Sequence, residues 1–406
     1  MLNANPNFIV QASSLSWSGC RDICMNNVRG RSAVYHTVFR IQQNFPLSLI
    51  VVAAPEFDHG GGLNDCLDDL ILKSPNKIKL HFSHNESPLL RMLDAIDKHM
   101  PDAEAVIRIN GLNMFFQPLH LRELWNLGRN RNLACATFPD DYPSQFTADY
   151  YDVNALNVIS RNLPKDDPLH VHCKYAIKRD STFLTAHYSP PDILDDSLLI
   201  AAREDAKKIY DLPRDIIAGG QKIPQGDTLS FHYTLALKHI ESHHIVLDIA
   251  CGGTIGPTML ATKAAHVTGA DLDVDLIAEN VAHIGFNPQL RFVCEDVTST
   301  SFVDASFDVI TSFETIEHVD ADAYLCELHR ILKPGGLVFL STPQNSQGHI
   351  PINPHHLKEY SLQEIQSKVM EFFDIEQIIG IKQGCIFFEN DPVGSNTYMR
   401  LKRNDL

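Results

Sequence analysis

Long apolar runs are missing from this 406-residue chain. No stretch approaches the ~18 consecutive apolar residues that mark a bilayer span, so no membrane partner is expected. The opening residues, Met1 to Pro6, lack a basic segment and an apolar core, which argues against a secretory leader. Positive charge is scarce: 34 Lys and Arg face 50 Asp and Glu, for a formal net charge of −16. A surface this acidic repels phosphate backbones, so nucleic acid is not an expected partner. The nine cysteines are scattered, odd in number and free of any C-x-x-C pair. That pattern reads as reduced thiols in a cytoplasmic setting, not a disulfide framework. Repeats and low-complexity tracts are absent as well. What is present suffices for packed cores, with hydrophobic residues at 44 %, and the length suits two or three domains.

Two α/β rhythms run along the chain. In the first, short apolar runs at Phe8–Ala12, Ser48–Ala53, Ala105–Ile109 and Leu133–Thr137 read as buried strands. Helical patterns lie between them at Ser32–Gln42, Pro88–His99 and Pro118–Leu127. Strands alternating with helices imply a parallel sheet with right-handed crossovers. The stretch Tyr188–Gly226 is rich in Pro and Gly, with a charged helical middle at Asp195–Tyr210. It reads as a linker carrying one helix, a candidate lid. The second rhythm begins at Ile245–Ile249. It continues through Ala265–Gly269, Leu290–Cys294, Val309–Ser312 and Leu337–Leu340, and closes near Ile375–Ile381 and Tyr398–Lys402. The expected fold class is therefore α/β with two doubly wound domains, over residues 1–185 and 226–406, joined by 186–225.

Chemistry concentrates in the second rhythm. Ile245–Ile249 runs through Asp248 into Ala250, Cys251, Gly252 and Gly253, then a helix from about Pro257. A strand, a tight glycine turn and a helix cradle a ligand at the carboxyl edge of a sheet, because glycine permits close approach and positive φ. A strand-to-helix turn without a ligand would look the same in isolation. The next strand ends at Asp271 and Leu272, where a carboxylate can accept from both ribose hydroxyls. Asp273 and Asp275 suit a helix cap. The third strand ends in Glu295, Asp296 and Val297, where a carboxylate can accept from an adenine amino group, or simply be a solvated loop acid. Three such sites at successive strand ends are hard to explain by chance.

These residues resemble the class I S-adenosylmethionine-dependent methyltransferases. Val246–Gly252 looks like that family's first motif. Phe307–Val319, which includes Phe313, resembles its fourth strand, and Leu328–Phe339 resembles the turn into its fifth. The resemblance implies a Rossmann-like seven-stranded sheet and S-adenosyl-L-methionine as cofactor. It assigns the methionine end to Asp248 with Gly252, the ribose to Asp271 and the adenine to Asp296. Ala250, Cys251, Gly253, Leu272, Glu295, Val297 and Phe313 fall beside them as further candidate cofactor contacts. One departure stands out: Thr254 replaces a small glycine, and a β-branched residue there can narrow the pocket.

On the acceptor side, Glu317-His318 follow the fourth strand, so His318 is a candidate general base or a structural group. Asn353–Tyr360 resembles an insertion of methyltransferases in sugar and polysaccharide pathways. His355 or His356 can bind or deprotonate an acceptor there, or cap the helix that begins near Ser361. Adjacent histidines point different ways, so no metal site is expected.

The first rhythm resembles sugar nucleotidyltransferases of the cytidylyltransferase type, in Phe8–Ala12, Ser87–Ala95, Ala105–Gly111, Thr137–Pro139 and Asp152–Leu156. His170-Val171-His172 resembles that family's closing segment. Departures fall where its chemistry belongs. The opening loop, Ser13 to Asp22, has only Arg21 as a base beside Trp17. Leu112, followed by Asn113, stands where an aspartate would hold magnesium, and Gln117 replaces a second acid; leucine cannot ligate a hard cation. The domain is expected to keep the fold and to have lost nucleotidyl transfer. His170 and His172 at alternate positions would share one face of a strand, through packing more readily than through zinc. His59–Gly62 reads as a plain loop.

The expectation is methyl transfer to a small molecule: a sugar, nucleotide-sugar or glycan precursor. The alternatives are a bifunctional enzyme with residual nucleotidyl transfer, or a sugar- or nucleotide-binding scaffold. A homodimer is compatible with either.

Overall fold

The computed structural model describes residues 5–15, 22–164, 167–191, 193–210 and 228–404. It divides the chain into two compact units, Met1–Ile223 and Pro224–Leu406.

The first unit holds β1 (Phe8–Gln11), the small antiparallel pair β2 (Asn27–Val28) and β3 (Arg31–Ser32), then β4 (Ile50–Ala54), β5 (Ile78–Phe82), β6 (Ala105–Asn110), β7 (Cys135–Thr137), β8 (Asp149–Asp152) and β9 (Thr185–His187). Its seven-stranded sheet has the order β5-β4-β1-β6-β8-β7-β9. Phe8, Ile9 and Val10 are fully buried at its centre. The alternation of strands and helices pointed to an all-parallel sheet. Instead β8 lies antiparallel between β6 and β7. Its sequence, Asp-Tyr-Tyr-Asp, is too short and too polar at its ends to announce a buried strand.

Other expectations for this unit need correction. His170 and His172 are not on a strand. Pro168–His170 is a 3-10 turn and Cys173–Arg179 a helix. His170 is buried and packs there, with Nδ1 on the Ser87 hydroxyl and Nε2 on the Pro164 carbonyl. The glycines after His59 lead straight into a helix at Gly62–Lys73. The linker is shorter than expected, because β9 extends the sheet to His187. The helix Asp196–Tyr210 belongs to the first unit: Leu199, Ala202 and Ala206 are buried, and buried Asp205 pairs with Arg29 at 2.8 Å. Residues 211–225 of the proposed linker, together with Trp17 and Arg21, lie outside the described residues.

The second unit opens with a helix at Thr228–Leu237. Its strands are β10 (Ile245–Ile249), β11 (His266–Asp271), β12 (Leu290–Cys294), β13 (Phe307–Phe313), β14 (Leu332–Pro343), β15 (Phe373–Ile381) and β16 (Asn396–Arg403). The order is β12-β11-β10-β13-β14-β16-β15, parallel except for β16, which runs antiparallel to both neighbours. Side chains on a strand alternate between faces, and two cores follow from that. Leu247, Ile249, Ile310 and Leu340 pack on one face with the helices Ala321–Ile331 and Leu362–Val369. Val246, Val309, Phe313 and Phe339 pack on the other with Tyr233 and Leu260. Chain order reverses between β10 and β13, so their carboxyl ends flank the crevice where open α/β sheets take ligands.

Candidate active site

The turn after β10 is held from three sides. Ala250 and Gly252 both have positive φ, at 54° and 58°. Glycine adopts this conformation freely, whereas alanine does so at a cost. The Gly252 N–H donates to Asp271 Oδ2 at 2.9 Å, the Gly252 carbonyl accepts from Asn280 Nδ2 at 2.7 Å, and the Cys251 N–H donates to the Ala270 carbonyl at 2.9 Å. A Cβ built on Gly252 or Gly253 meets nothing within 4 Å, so the upper side of the turn opens onto free space. Gly256 is the opposite case. A Cβ there would lie 2.1 Å from the Tyr233 ring, so glycine is needed for packing. Thr254 sits at φ −82° and ψ −12°, an ordinary helical geometry that a β-branched residue accepts. It costs the turn nothing.

Asp248 departs from its expected place. It is 1 % exposed and faces the same side of the sheet as its register partner Thr311. Its Oδ1 accepts from the Thr311 hydroxyl at 2.6 Å and its Oδ2 from the Tyr233 hydroxyl at 2.9 Å. The resemblance gives it the methionine end of the cofactor, whereas here both oxygens brace the strand beneath the turn. Burial pushes its carboxyl up to about 7 against the pull of those two hydrogen bonds.

Asp271 stands at the end of β11, partly exposed. Its Oδ1 accepts from the Asp273 N–H at 3.1 Å, leaving further lone pairs on both oxygens. Asp273 caps the helix Val274–Ile284, which carries Asn280. Asp271 pairs with Cys294 in the β11–β12 register, so Asp296 sits two residues beyond the neighbouring strand end. Asp296 is exposed and accepts from the Thr298 N–H and hydroxyl, which hold its carboxyl below the usual range. Glu295 binds the Ser301 N–H at 2.9 Å. Leu272 is 68 % exposed, whereas Cys251, Val297 and Phe313 are buried in the packing. Phe313 meets the Tyr233 ring edge-on at 4.8 Å.

On the other side of the crevice, β13 is followed by Glu314, again left-handed at φ 54°. Two neighbouring strands are thus both followed by a strained non-glycine residue, a feature that clusters at functional sites. Glu314 accepts from the Ser341 hydroxyl and the Asn396 amide, both at 2.8 Å. A 3-10 turn at Ile316–His318 follows. His318 is half-exposed, and its Nδ1–H donates to the His355 carbonyl at 3.0 Å. Burial holds this imidazole below its usual range, and the neighbouring His356 adds to the effect. His355 itself is exposed, whereas His356 is buried. The alternative of a helix cap fails for both histidines, because Ser361 and Glu364 form the cap. Glu317 is fully buried. Burial first, and the Glu314 charge second, push its carboxyl well above the usual range.

Residues 247–340 match the protein family described as Methyltransferase domain. This chain is therefore similar to that family over 247–340. The open space over Gly252 and Gly253, beside the Asp271 carboxylate, has the character of a cradle for an adenosyl group. Curated proteins are similar to the same part of the chain. A probable S-adenosylmethionine-dependent methyltransferase of Mycolicibacterium smegmatis is 32 % identical over 36 % of this chain and 58 % of its own. A ubiquinone biosynthesis O-methyltransferase of Pseudomonas aeruginosa is 38 % identical over 24 % of this chain and 43 % of its own. A phosphoethanolamine N-methyltransferase of Arabidopsis thaliana is 39 % identical over 24 % and 20 %. The chain thus spans little more than half the length of the first of these relatives and less of the others. Their names divide between oxygen and nitrogen acceptors, so kinship does not fix the acceptor atom.

Sequence reasoning did not find Tyr233, Thr311 or Asn280. Asn280 left a usable signal: a polar residue among Ile277, Val281 and Ile284 on a helix. Tyr233 left none, because its helix is apolar on most sides and shows no stripe.

Proposed function

We propose that the chain transfers a methyl group from S-adenosylmethionine to a small molecule, with the bound cofactor supplying an electrophilic sulfonium methyl. The observation that carries this reading is the glycine turn at the crevice, pinned to Asp271 and Asn280 with open space above it. Asp271 accepts from the ribose hydroxyls, while the Gly252 N–H fixes its orientation. Asp296 accepts from the adenine amino group. Asp248, Tyr233 and Thr311 keep the end of β10 rigid, so that the turn is in place before any ligand arrives; alignment contributes much of the rate in such transfers. His318, half-exposed after β13, receives the acceptor's proton if that proton needs a base. His355 is the exposed neighbour that contacts the acceptor.

The acceptor we infer is a sugar, nucleotide-sugar or glycan precursor. This rests on the resemblance of Asn353–Tyr360 to sugar-pathway methyltransferases and of the first unit to sugar nucleotidyltransferases. The strand order of that first unit, with β8 inserted antiparallel, is compatible with such a domain. Asn113 donates to the Thr147 carbonyl at 2.8 Å and Gln117 to the Phe115 carbonyl at 3.0 Å, so both serve the local fold. That supports loss of nucleotidyl transfer, and an assay with CTP and a panel of sugars is expected to release no pyrophosphate.

Calorimetry with S-adenosylmethionine tests the main reading. Binding by the wild type that drops at least about tenfold in Asp271→Ala is expected, as for loss of a hydrogen-bonded charge. Undiminished binding in that variant refutes the proposed site.

A further inference from the structure

Glu317 and His356 hold an arrangement that methyl transfer alone does not require. Glu317 Oε2 accepts from the Thr342 hydroxyl at 2.8 Å. Its Oε1 is buried and has no hydrogen-bond donor. A buried carboxylate oxygen left without a donor is costly and calls for a physical explanation. That oxygen lies 4.0 Å from His318 Nε2, and the His318 ring meets the His356 ring edge-on at 4.9 Å. One ligand atom each from Glu317, His318 and His356 falls within 4.8 Å of the others.

Both imidazoles are oriented from behind. His318 donates Nδ1–H to the His355 carbonyl, which leaves the Nε2 lone pair facing Glu317. His356 Nδ1–H donates to Glu359 Oε1 at 3.0 Å. Glu359 is itself fixed by the Asn345 amide at 2.6 Å and the Asn353 N–H at 3.0 Å. A ligating histidine ordinarily gives its second N–H to a carbonyl or a carboxylate, which sets the tautomer and raises basicity. Here one histidine has each kind of partner. The loop that carries His356 is tied to the turn that carries Glu317, because the Leu357 N–H donates to the Glu317 carbonyl at 2.8 Å. His356 Nε2 is 3.0 Å from the Asn353 amide, a contact that an ion would replace.

We propose that Glu317, His318 and His356 form a divalent first-row transition-metal site whose open positions take two adjacent hydroxyl oxygens of the methyl acceptor. Two imidazoles and one carboxylate suit such an ion better than magnesium or calcium, which prefer oxygen ligands. Ligand atoms around an ion at 2.0–2.2 Å lie about 3 Å apart, so the three groups need to close in by roughly 1–2 Å. His318 is half-exposed, which leaves one side of the ion for a ligand. A vicinal diol, as in a sugar, fills two neighbouring positions, and the ion makes the bound hydroxyl easier to deprotonate, its proton then passing to solvent because His318 Nε2 is a ligand and no longer a base. This last step rests on the methyl-transfer reading above.

Cobalt(II) chloride is the probe. The 406-residue chain, stripped with a chelator and dialysed, is titrated while its visible ligand-field bands are followed. One ion per chain is expected. Affinity should fall at least tenfold in Glu317→Gln, with the bands lost in His318→Ala and His356→Ala. Glu359→Gln removes only the orienting carboxylate and should cost about 10–100-fold. Circular-dichroism melts show whether each variant is folded. A folded wild type that takes up no cobalt, or uptake equal in wild type and folded variants, overturns the proposal. S-adenosylmethionine calorimetry on the same samples separates the two readings. Normal cofactor binding without cobalt uptake sinks the metal site alone, and the converse sinks the methyl-transfer reading alone.

Discussion

Asp248 makes the stability of the second unit depend on pH. Its carboxyl titrates near 3.8 when free and is pushed up to about 7 in the fold, mainly by burial. The folded chain therefore binds the proton more tightly than the unfolded chain. The stabilisation is complete below the free value and is lost as pH rises through about 7. Inside that window each pH unit costs about 1.4 kcal/mol. Moving from about pH 5 to about pH 7 should thus remove roughly 2.5 kcal/mol. Asp248→Asn keeps the shape and one acceptor but cannot titrate. Urea unfolding of wild type and variant at the two pH values, followed by far-UV circular dichroism, gives the double difference. Both tryptophans, Trp17 and Trp125, precede the second unit in the sequence, so their fluorescence serves as an internal control that the substitution should not move. An equal pH effect in wild type and variant would refute the argument, because Asp248 would then not be the group that titrates.

Three more outcomes are expected. Gly256→Ala drives a methyl into the Tyr233 ring and should destabilise the second unit by about 1–3 kcal/mol, with weaker cofactor binding, read by melting and calorimetry. Asn280→Ala strips the Gly252 carbonyl of its donor; a loss of about 1–3 kcal/mol should appear in melting, and faster amide exchange in the turn. In the first unit, buried Asp140 pairs with Lys174 at 3.0 Å and Lys178 at 3.5 Å. Asp140→Ala leaves two lysines in a largely buried place without that partner and should cost about 3–5 kcal/mol; Trp125 fluorescence against urea reads it.

The sequence was most legible where a strand is buried on both faces. Ile245–Ile249 begins and ends where its apolar run does, and so does Leu290–Cys294 apart from Arg291, although that strand is a partly exposed sheet edge. It was least legible where burial is one-sided or pairing is unusual. Ile78–Phe82 alternates Lys and His with apolar residues at a sheet edge, so no apolar run marks it. β14 was expected only at Leu337–Leu340, because Lys333 to Gly336 reads as a turn. Those residues lie within β14 even though Gly335 turns to φ 72°, and the pairing with β13 absorbs the irregularity as a register shift after Phe307. At the site, the strand-end acids were visible because each follows an apolar run. The partners of Asp248 were not, because Tyr233 arrives from a helix before the strand and Thr311 from a register that only the folded sheet fixes. Glu317 and His356 meet through a loop closure that no local spacing announces.

The position of Tyr233 has a practical consequence for anyone who wishes to isolate the second half of the protein. The recognisable family segment starts at Leu247, yet the hydroxyl that satisfies Asp248 comes from the helix Thr228–Leu237. A fragment trimmed to the recognisable segment would expose one side of its central strand and leave a sequestered acid with a single donor. The smallest piece worth expressing begins before Thr228 and runs through the antiparallel strand at Asn396–Arg403.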